Sequence, residues 1–264
     1  MKSMIKMNLF FYFLAFSVLL ISCDDEENDD VTPIENGTSV KLAQSNAFGN
    51  IITDVEGNTL YFYTRDVEGT SECEGDCITN WPVFYERDLT VGAGLDTNDF
   101  GVITRGDGSK QNTYKGWPLY YYVGDNTSGE INGDNVGEVW YVAKPDYAVM
   151  VATKQVDNEV NTYLVDDRGN TLYLFTQDET GISNCEEGCL TAWPAFSAEI
   201  NHVPSLLKTS AFTTITRNDN STQISYKGSP MYFYAQDNAR GEVRGHEVGD
   251  VWFVFGNAEI DEQL

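Results

Sequence analysis

Histidine is nearly missing from this sequence: His202 and His246 are the two in 264 residues. Neither stands in an HExxH or a Cys-x-x-Cys-His setting, which excludes the helical zinc-protease motif and covalent haem attachment. A nucleophile elbow and a phosphate loop are missing too. Basic residues are scarce, 16 Lys and Arg against 41 Asp and Glu, for a net charge of −25. Such a surface repels phosphate backbones, so nucleic acid is not an expected partner. It suits a salty medium and attracts cations or a basic protein surface. No apolar run follows residue 21. The one run present, Leu9 to Ile21, falls short of the roughly 20 residues a membrane-spanning helix needs. Cysteine is sparse as well, five in all, and the positions of those five are informative.

Lys2 and Lys6 precede the apolar run, the pattern of a signal peptide over residues 1–22. The run ends in Leu20-Ile21-Ser22-Cys23, which resembles the bacterial lipobox. That resemblance implies a diacylated Cys23 as the mature N-terminus and a membrane anchor, since each buried CH₂ contributes about 0.8 kcal/mol. Asp24-Asp25-Glu26-Glu27-Asn28-Asp29-Asp30 follows. A like-charge block cannot pack, so residues 23–38 read as a solvated tether. The block also resembles the acidic export signal of surface-exposed bacterial lipoproteins. It implies an outer-membrane lipoprotein facing outward, whereas in enterobacterial lipoproteins an Asp directly after the cysteine implies inner-membrane retention instead.

Shifting the chain by 112 residues aligns Asp54–Lys144 with Asp166–Gly256 without a gap, and 43 of 91 positions are identical. Repeats are the first thing to read in a chain. They divide this one into repeat 1 (39–147), repeat 2 (148–257) and a C-terminal tail (258–264). A shorter motif recurs within each, 59 residues apart: Gly57 to Asp66 resembles Gly116 to Asp125, and Gly169 to Asp178 resembles Gly228 to Asp237. The body is therefore four related units, paired ABAB. Leu60, Phe62 and Thr64 alternate with Tyr61 and Tyr63, the pattern of a half-buried strand. Gly106-Asp107-Gly108 and Asn218-Asp219-Asn220 have hairpin chemistry. Val139 to Val142 and Val251 to Val254 close each repeat as strands. No convincing amphipathic helix follows the tether. The expected fold is all-β, with four antiparallel units of about four strands each. These form either a propeller-like ring or two tandem β-sandwich or barrel domains.

The motif residues carry a family resemblance. They are Tyr61, Tyr63, Asp66; Tyr120, Tyr122, Asp125; Tyr173, Phe175, Asp178; and Tyr232, Tyr234, Asp237. Each set reads Tyr-x-(Phe/Trp/Tyr)-x-x-Asp. With a Cys-x-x-x-Cys followed by Trp-Pro in both repeats, the chain resembles the predicted bacterial lipoproteins called the secreted repeat of unknown function. The resemblance spans about residues 50–255. It implies an exported, repeated, lipid-anchored protein and supplies no catalytic residues.

Four cysteines remain after Cys23. An even number in an exported protein suggests disulfides, and the repeat pairs Cys73 with Cys77 and Cys185 with Cys189. A redox dithiol or a thiolate metal site is the other reading. The motif aspartates read as turn residues whose carboxylates accept backbone N–H bonds. No cofactor is expected, calcium being a weak candidate at Asp125, Glu130 and Asp134. The matching stretch of repeat 2 carries Arg240, Arg244 and His246, so at most one repeat would bind it. Arg105/Asp107, Arg217/Asp219, Lys115 and Lys227 read as internal ion pairs or an anionic-ligand pocket. Trp81, Trp140, Trp193 and Trp252 repeat and read as core. Trp117, replaced by Ser229 in repeat 2, reads as an exposed stacking platform; with Arg105 and Arg217 it forms the candidate ligand surface. The leading functional reading is a non-catalytic binding or scaffold lipoprotein of the cell envelope, partnered with the membrane through its lipid and with an envelope protein. The alternatives are a redox accessory of envelope electron carriers, and a carbohydrate binder or glycan-active enzyme.

Overall fold

Short runs of β-branched and aromatic residues, punctuated by Gly, Asn and Asp, become the strands. The computed structural model describes residues 38–156 and 159–261. The expected signal peptide, the lipidation candidate Cys23 and nearly all of the expected acidic tether lie outside the described residues. Repeat 1 holds β1 (Val40–Ser45), β2 (Gly49–Asp54), β3 (Tyr61–Tyr63), β4 (Phe100–Thr104), β5 (Lys110–Tyr114), β6 (Trp117–Pro118) and β7 (Trp140–Val142). Repeat 2 holds β8 (Val149–Val156), β9 (Glu159–Asp166), β10 (Tyr173–Phe175), β11 (Phe212–Thr216), β12 (Thr222–Tyr226), β13 (Ser229–Pro230) and β14 (Trp252–Val254).

The pairing is the same in both repeats. A hairpin opens each one, β1 with β2 and β8 with β9. A second hairpin, β4–β5, puts Phe100 opposite Tyr114 and is matched by β11–β12. Its turn is the Gly-Asp-Gly segment, where Asp107 Oδ1 accepts Ser109 N–H at 2.8 Å; Asp219 does the same for Ser221 at 2.9 Å. The β5–β6 turn is Lys115-Gly116, both at positive φ (48° and 82°), as a two-residue type I′ turn requires. The strand β3 then pairs with β7, Tyr61 opposite Val142, and so joins the two ends of the repeat. β10 and β14 close repeat 2 in the same way.

The sheets are smaller than the blade expectation. They contain two or three strands, and the described residues form no closed barrel. Proline is one reason: Pro118 and Pro230 have no N–H to extend a ladder, and β6 and β13 stop at two residues. Single bridges tie the small sheets together. Tyr61 N–H donates to Tyr120 O at 2.8 Å and Tyr120 N–H to Tyr61 O at 2.9 Å.

Three short α-helices occur among the described residues, α1 (Asp76–Asn80), α2 (Gly188–Ala192) and α3 (Asn257–Asp261), beside five 3-10 turns. None is long and apolar enough to cross a membrane. The helix α3 corrects the expectation of a tail from 258, because Ile260 is buried against Leu164, Phe255 and their neighbours. Apolar Ile260 gains by leaving water, and the helical turn is what delivers it.

One buried cluster crosses the repeat boundary, with Phe62, Trp117, Tyr141 and Tyr147 against Tyr163, Val165 and Tyr173. Polar bonds reinforce it. Trp117 Nε1–H donates to Asp167 O at 3.0 Å, and Lys115 Nζ lies 2.7 Å from Asp167 Oδ2. The Arg240 guanidinium lies 4.8 Å above the Trp117 ring and donates to Val67 O at 2.5 Å and Lys115 O at 3.2 Å. Burial pulls its pKa down to about 10. A Cβ at Gly116 would fall 1.8 Å from this guanidinium, so glycine is required there for space as well as for φ.

Candidate functional site

The hallmark residues meet at the middle of each repeat. The reciprocal Tyr61–Tyr120 bridge sets the two motifs of repeat 1 antiparallel, and their side chains then exchange partners. Tyr61 O–H donates to Asp125 Oδ2, and Tyr120 O–H donates to Asp66 Oδ2, both at 2.6 Å. Repeat 2 does the same: Tyr173 to Asp237 at 2.6 Å and Tyr232 to Asp178 at 2.7 Å. The second carboxylate oxygen of each Asp accepts a backbone N–H, from Glu72, Asn132, Asn184 and Arg244 respectively for Asp66, Asp125, Asp178 and Asp237. Tyrosine and aspartate five apart are thus two halves of different bonds, each completed by the other motif.

Burial governs the electrostatics. Asp66 is fully buried, and desolvation pushes its pKa up to about 7 against the pull of the Glu72 N–H and the Tyr120 phenol. Desolvation also raises Asp125, Asp178 and Asp237. The partner phenols of Tyr61, Tyr120, Tyr173 and Tyr232 are raised far above their ordinary value, again chiefly by desolvation.

Arg105 supports this centre from behind. It is 5% exposed and donates from Nη1 to Ser71 Oγ and Gln111 Oε1 and from Nη2 to Cys73 O, each at 2.5 Å. Ser71 Oγ in turn lies 2.6 Å from the Tyr120 hydroxyl. Arg217 repeats the pattern with Ser183, Gln223 and Cys185 O. These arginines therefore do not form a ligand surface, and neither pairs with the aspartate two residues on. Asp107 and Asp219 are instead held low by their Ser109 and Ser221 hydrogen bonds. Lys115 does make an ion pair, with Asp167.

The aromatic rings complete the centre. Tyr63, Trp140, Trp81 and Tyr122 stack face to face in that order, as do Phe175, Trp252, Trp193 and Tyr234. The four tryptophans are core, each 4–5% exposed. The disulfides Cys73–Cys77 and Cys185–Cys189 are formed, each with Cα atoms 5.3 Å apart. Each bond shapes the turn that aims a tryptophan into the stack: Trp81 N–H donates to Cys77 O at 2.9 Å and Trp193 N–H to Cys189 O at 2.8 Å. Closed disulfides leave no dithiol in this state.

A scan of family models finds four matches, at residues 44–85, 101–144, 154–197 and 213–255. Together they cover well over half of the chain. The chain belongs to the secreted repeat of unknown function. Each copy of the secreted repeat supplies one motif strand and, 20 residues after its tyrosine, one tryptophan: Trp81, Trp140, Trp193 and Trp252. Two copies share one stack and one Tyr–Asp exchange, which explains the ABAB pairing. No curated protein and no solved structure matches the chain.

Trp117 is not an exposed platform. It is 2% exposed, wedged at the repeat boundary. The calcium candidate is not assembled either. Asp125 is held by Tyr61 and Asn132; Glu130 Oε2 accepts the N–H of Asn126 at 2.6 Å; Asp134 accepts Val142 N–H at 2.9 Å and also binds Ser205. Among the described residues no three His, Cys, Asp or Glu side chains converge as metal ligands do. His246 takes the place of Asp134, accepting Val254 N–H at 3.3 Å. His202 lies against Asp146, with Nδ1 2.6 Å from Oδ2. A groove of about 470 Å³ runs along the repeat boundary past Lys115, Asp146, Asp167, Phe196 and Phe233. Its lysine is already paired. Ser71 and Ser183 were not singled out from sequence, although both recur in register two residues before the first cysteine of each pair.

Proposed function

We propose that this secreted-repeat chain is a cell-envelope lipoprotein, anchored through Cys23, whose body is a non-catalytic binding or scaffold module for an envelope protein. One observation carries the reading. The hallmark tyrosines and aspartates are turned inward and bonded to one another, and the hallmark cysteines are closed as disulfides. A catalytic group needs a free valence toward a substrate, and these have spent theirs on the fold. What remains for binding is an acidic outer surface, suited to a partner with complementary charge. The buried boundary cluster and the Arg240–Trp117 contact favour the two repeats working as one body rather than as two independent domains.

The test is co-purification of the tagged full-length protein from gently solubilised native membranes. A stoichiometric envelope partner, with the isolated wild-type chain but not Cys23→Ala partitioning into detergent, supports the proposal. A clean preparation without a partner, or detergent partition of isolated Cys23→Ala equal to wild type, contradicts it.

A further inference from the structure

In repeat 1 the steps along the stack from Tyr63 to Trp140, Trp81 and Tyr122 are 4.2, 3.8 and 4.3 Å between ring centroids. The two indoles are nearly parallel, at 4°. Both end rings are partly exposed, whereas the indoles are sealed. Tyr61 and Tyr120 stand edge-on to the indoles, 5.5 Å from Trp81 and 5.1 Å from Trp140. Each of these two phenols donates to a carboxylate at 2.6 Å. Indole and phenol rings give up one electron more readily than any other carbon-ring side chain. A phenol does so more readily still when a base can take its proton in the same step.

We propose that the stack of repeat 1 is a one-electron relay that accepts oxidising equivalents at Tyr63 or Tyr122 and traps them on Tyr61 or Tyr120 as neutral phenoxyl radicals. This goes beyond the binding role. An outer-sphere one-electron oxidant takes one electron from an end ring and is reduced by one electron. The end phenol keeps its O–H proton because its electron is refilled at once from Trp81 or Trp140, which becomes the indole radical cation. The indole radical cation then takes an electron from the edge-on tyrosine, whose O–H bond breaks. The proton forms a new O–H bond on Asp125 or Asp66. The net change is one reduced oxidant, one phenoxyl and one protonated carboxyl. A one-electron reductant of the ascorbate class reverses it, and the carboxyl returns its proton. Burial raises the proton affinity of both acceptors, that of Asp66 to about pH 7. Repeat 2 has Phe175 where repeat 1 has Tyr63. Its stack keeps a single oxidisable end, Tyr234, so repeat 1 is the two-ended relay.

The experiment is flash oxidation of the folded mature protein by photogenerated tris(bipyridine)ruthenium(III), followed by transient absorption and freeze-quench electron paramagnetic resonance. The expected result is an indole radical that decays into a neutral phenoxyl, more slowly in D₂O. Asp66→Asn with Asp125→Asn is expected to lengthen the indole radical's life several-fold. Should that pair not fold, Tyr63→Phe with Tyr122→Phe alters only partly exposed rings and is expected to cut the phenoxyl yield several-fold. Tyr85→Phe, 40% exposed and outside the stack, leaves the yield unchanged. Equal yields in wild type and the Tyr63/Tyr122 variant, or phenoxyl formed mainly at Tyr85, would overturn the proposal.

Discussion

Tyr120→Phe removes one oxygen and tests the crossed Tyr–Asp exchange directly. Asp66 is fully buried and has the Tyr120 phenol on one oxygen and Glu72 N–H on the other. Deleting the phenol strands one carboxylate oxygen without access to water. Hydrogen bonds to charged groups contribute about 1.5–3 kcal/mol, and a stranded buried acceptor costs toward the upper end. The expected loss is about 2–3 kcal/mol at pH 8, or about 4–12 °C in Tm for a body of this size. Tyr61→Phe makes the same deletion at Asp125, which is only partly buried. Water replaces the lost donor there, and the expected loss is about 1 kcal/mol. At pH 5 Asp66 is largely protonated in the folded protein, since its pKa is about 7. The bond then joins neutral groups, and the Tyr120→Phe loss shrinks to about 1 kcal/mol. Urea unfolding of Tyr120→Phe at the two pH values and of Tyr61→Phe at pH 8 measures all three numbers. A Tyr61→Phe loss equal to or larger than that of Tyr120→Phe at pH 8, or no pH dependence, would refute the reasoning.

Other expectations follow from the same bonds. Asp66 rises from 3.8 to about 7 on folding, and Asp125, Asp178 and Asp237 also rise. The Asp66 contribution to stability is full below about pH 4 and is lost as pH climbs through 7, and the other three act in the same direction, so calorimetry at constant ionic strength should give a higher Tm at pH 5 than at pH 8. Arg240→Ser installs the residue that repeat 1 has at Ser128 and removes the guanidinium from Trp117; a loss of about 1–2 kcal/mol is expected in urea, and an unchanged midpoint would deny the clasp. Each disulfide closes a loop of four-residue separation, so chain entropy limits its contribution to about 2 kcal/mol. Reduction should lower the midpoint modestly without unfolding the body, and thiol titration should find four reactive thiols only after reductant.

The repeats, the hairpins and the core tryptophans were legible because they depend on local chemistry. Gly106-Asp107-Gly108 is a turn wherever it occurs, and a gapless 112-residue register survives any packing. The crossed exchange was not legible, because Tyr61 bonds Asp125 at a separation of 64 residues while Asp66 sits beside it in sequence. The carboxylate turn reading of the motif aspartates was half of the answer: each does accept a backbone N–H, and the other oxygen belongs to the partner motif. Trp117 was misread, and Arg240 was passed over, for an instructive reason. In a duplicated chain, an unmatched residue marks a place where the copies differ in surroundings. Here that place is the contact between the copies, where Trp117 replaces the serine of repeat 2 and Arg240 replaces the serine of repeat 1. The count of about four strands per unit failed to become four-stranded blades because proline and single bridges cut the ladders short.

The central claim is that the hallmark residues build the module and leave binding to its outer face. The most direct measurement compares Asp66→Asn, Asp125→Asn, Asp178→Asn and Asp237→Asn, reading for each the urea midpoint and the capture of the proposed envelope partner per folded molecule. The account predicts four lowered midpoints, largest for Asp66→Asn, with capture equal to wild type in every folded sample. A variant with an unchanged midpoint and abolished capture would make that aspartate part of a functional site and contradict the claim.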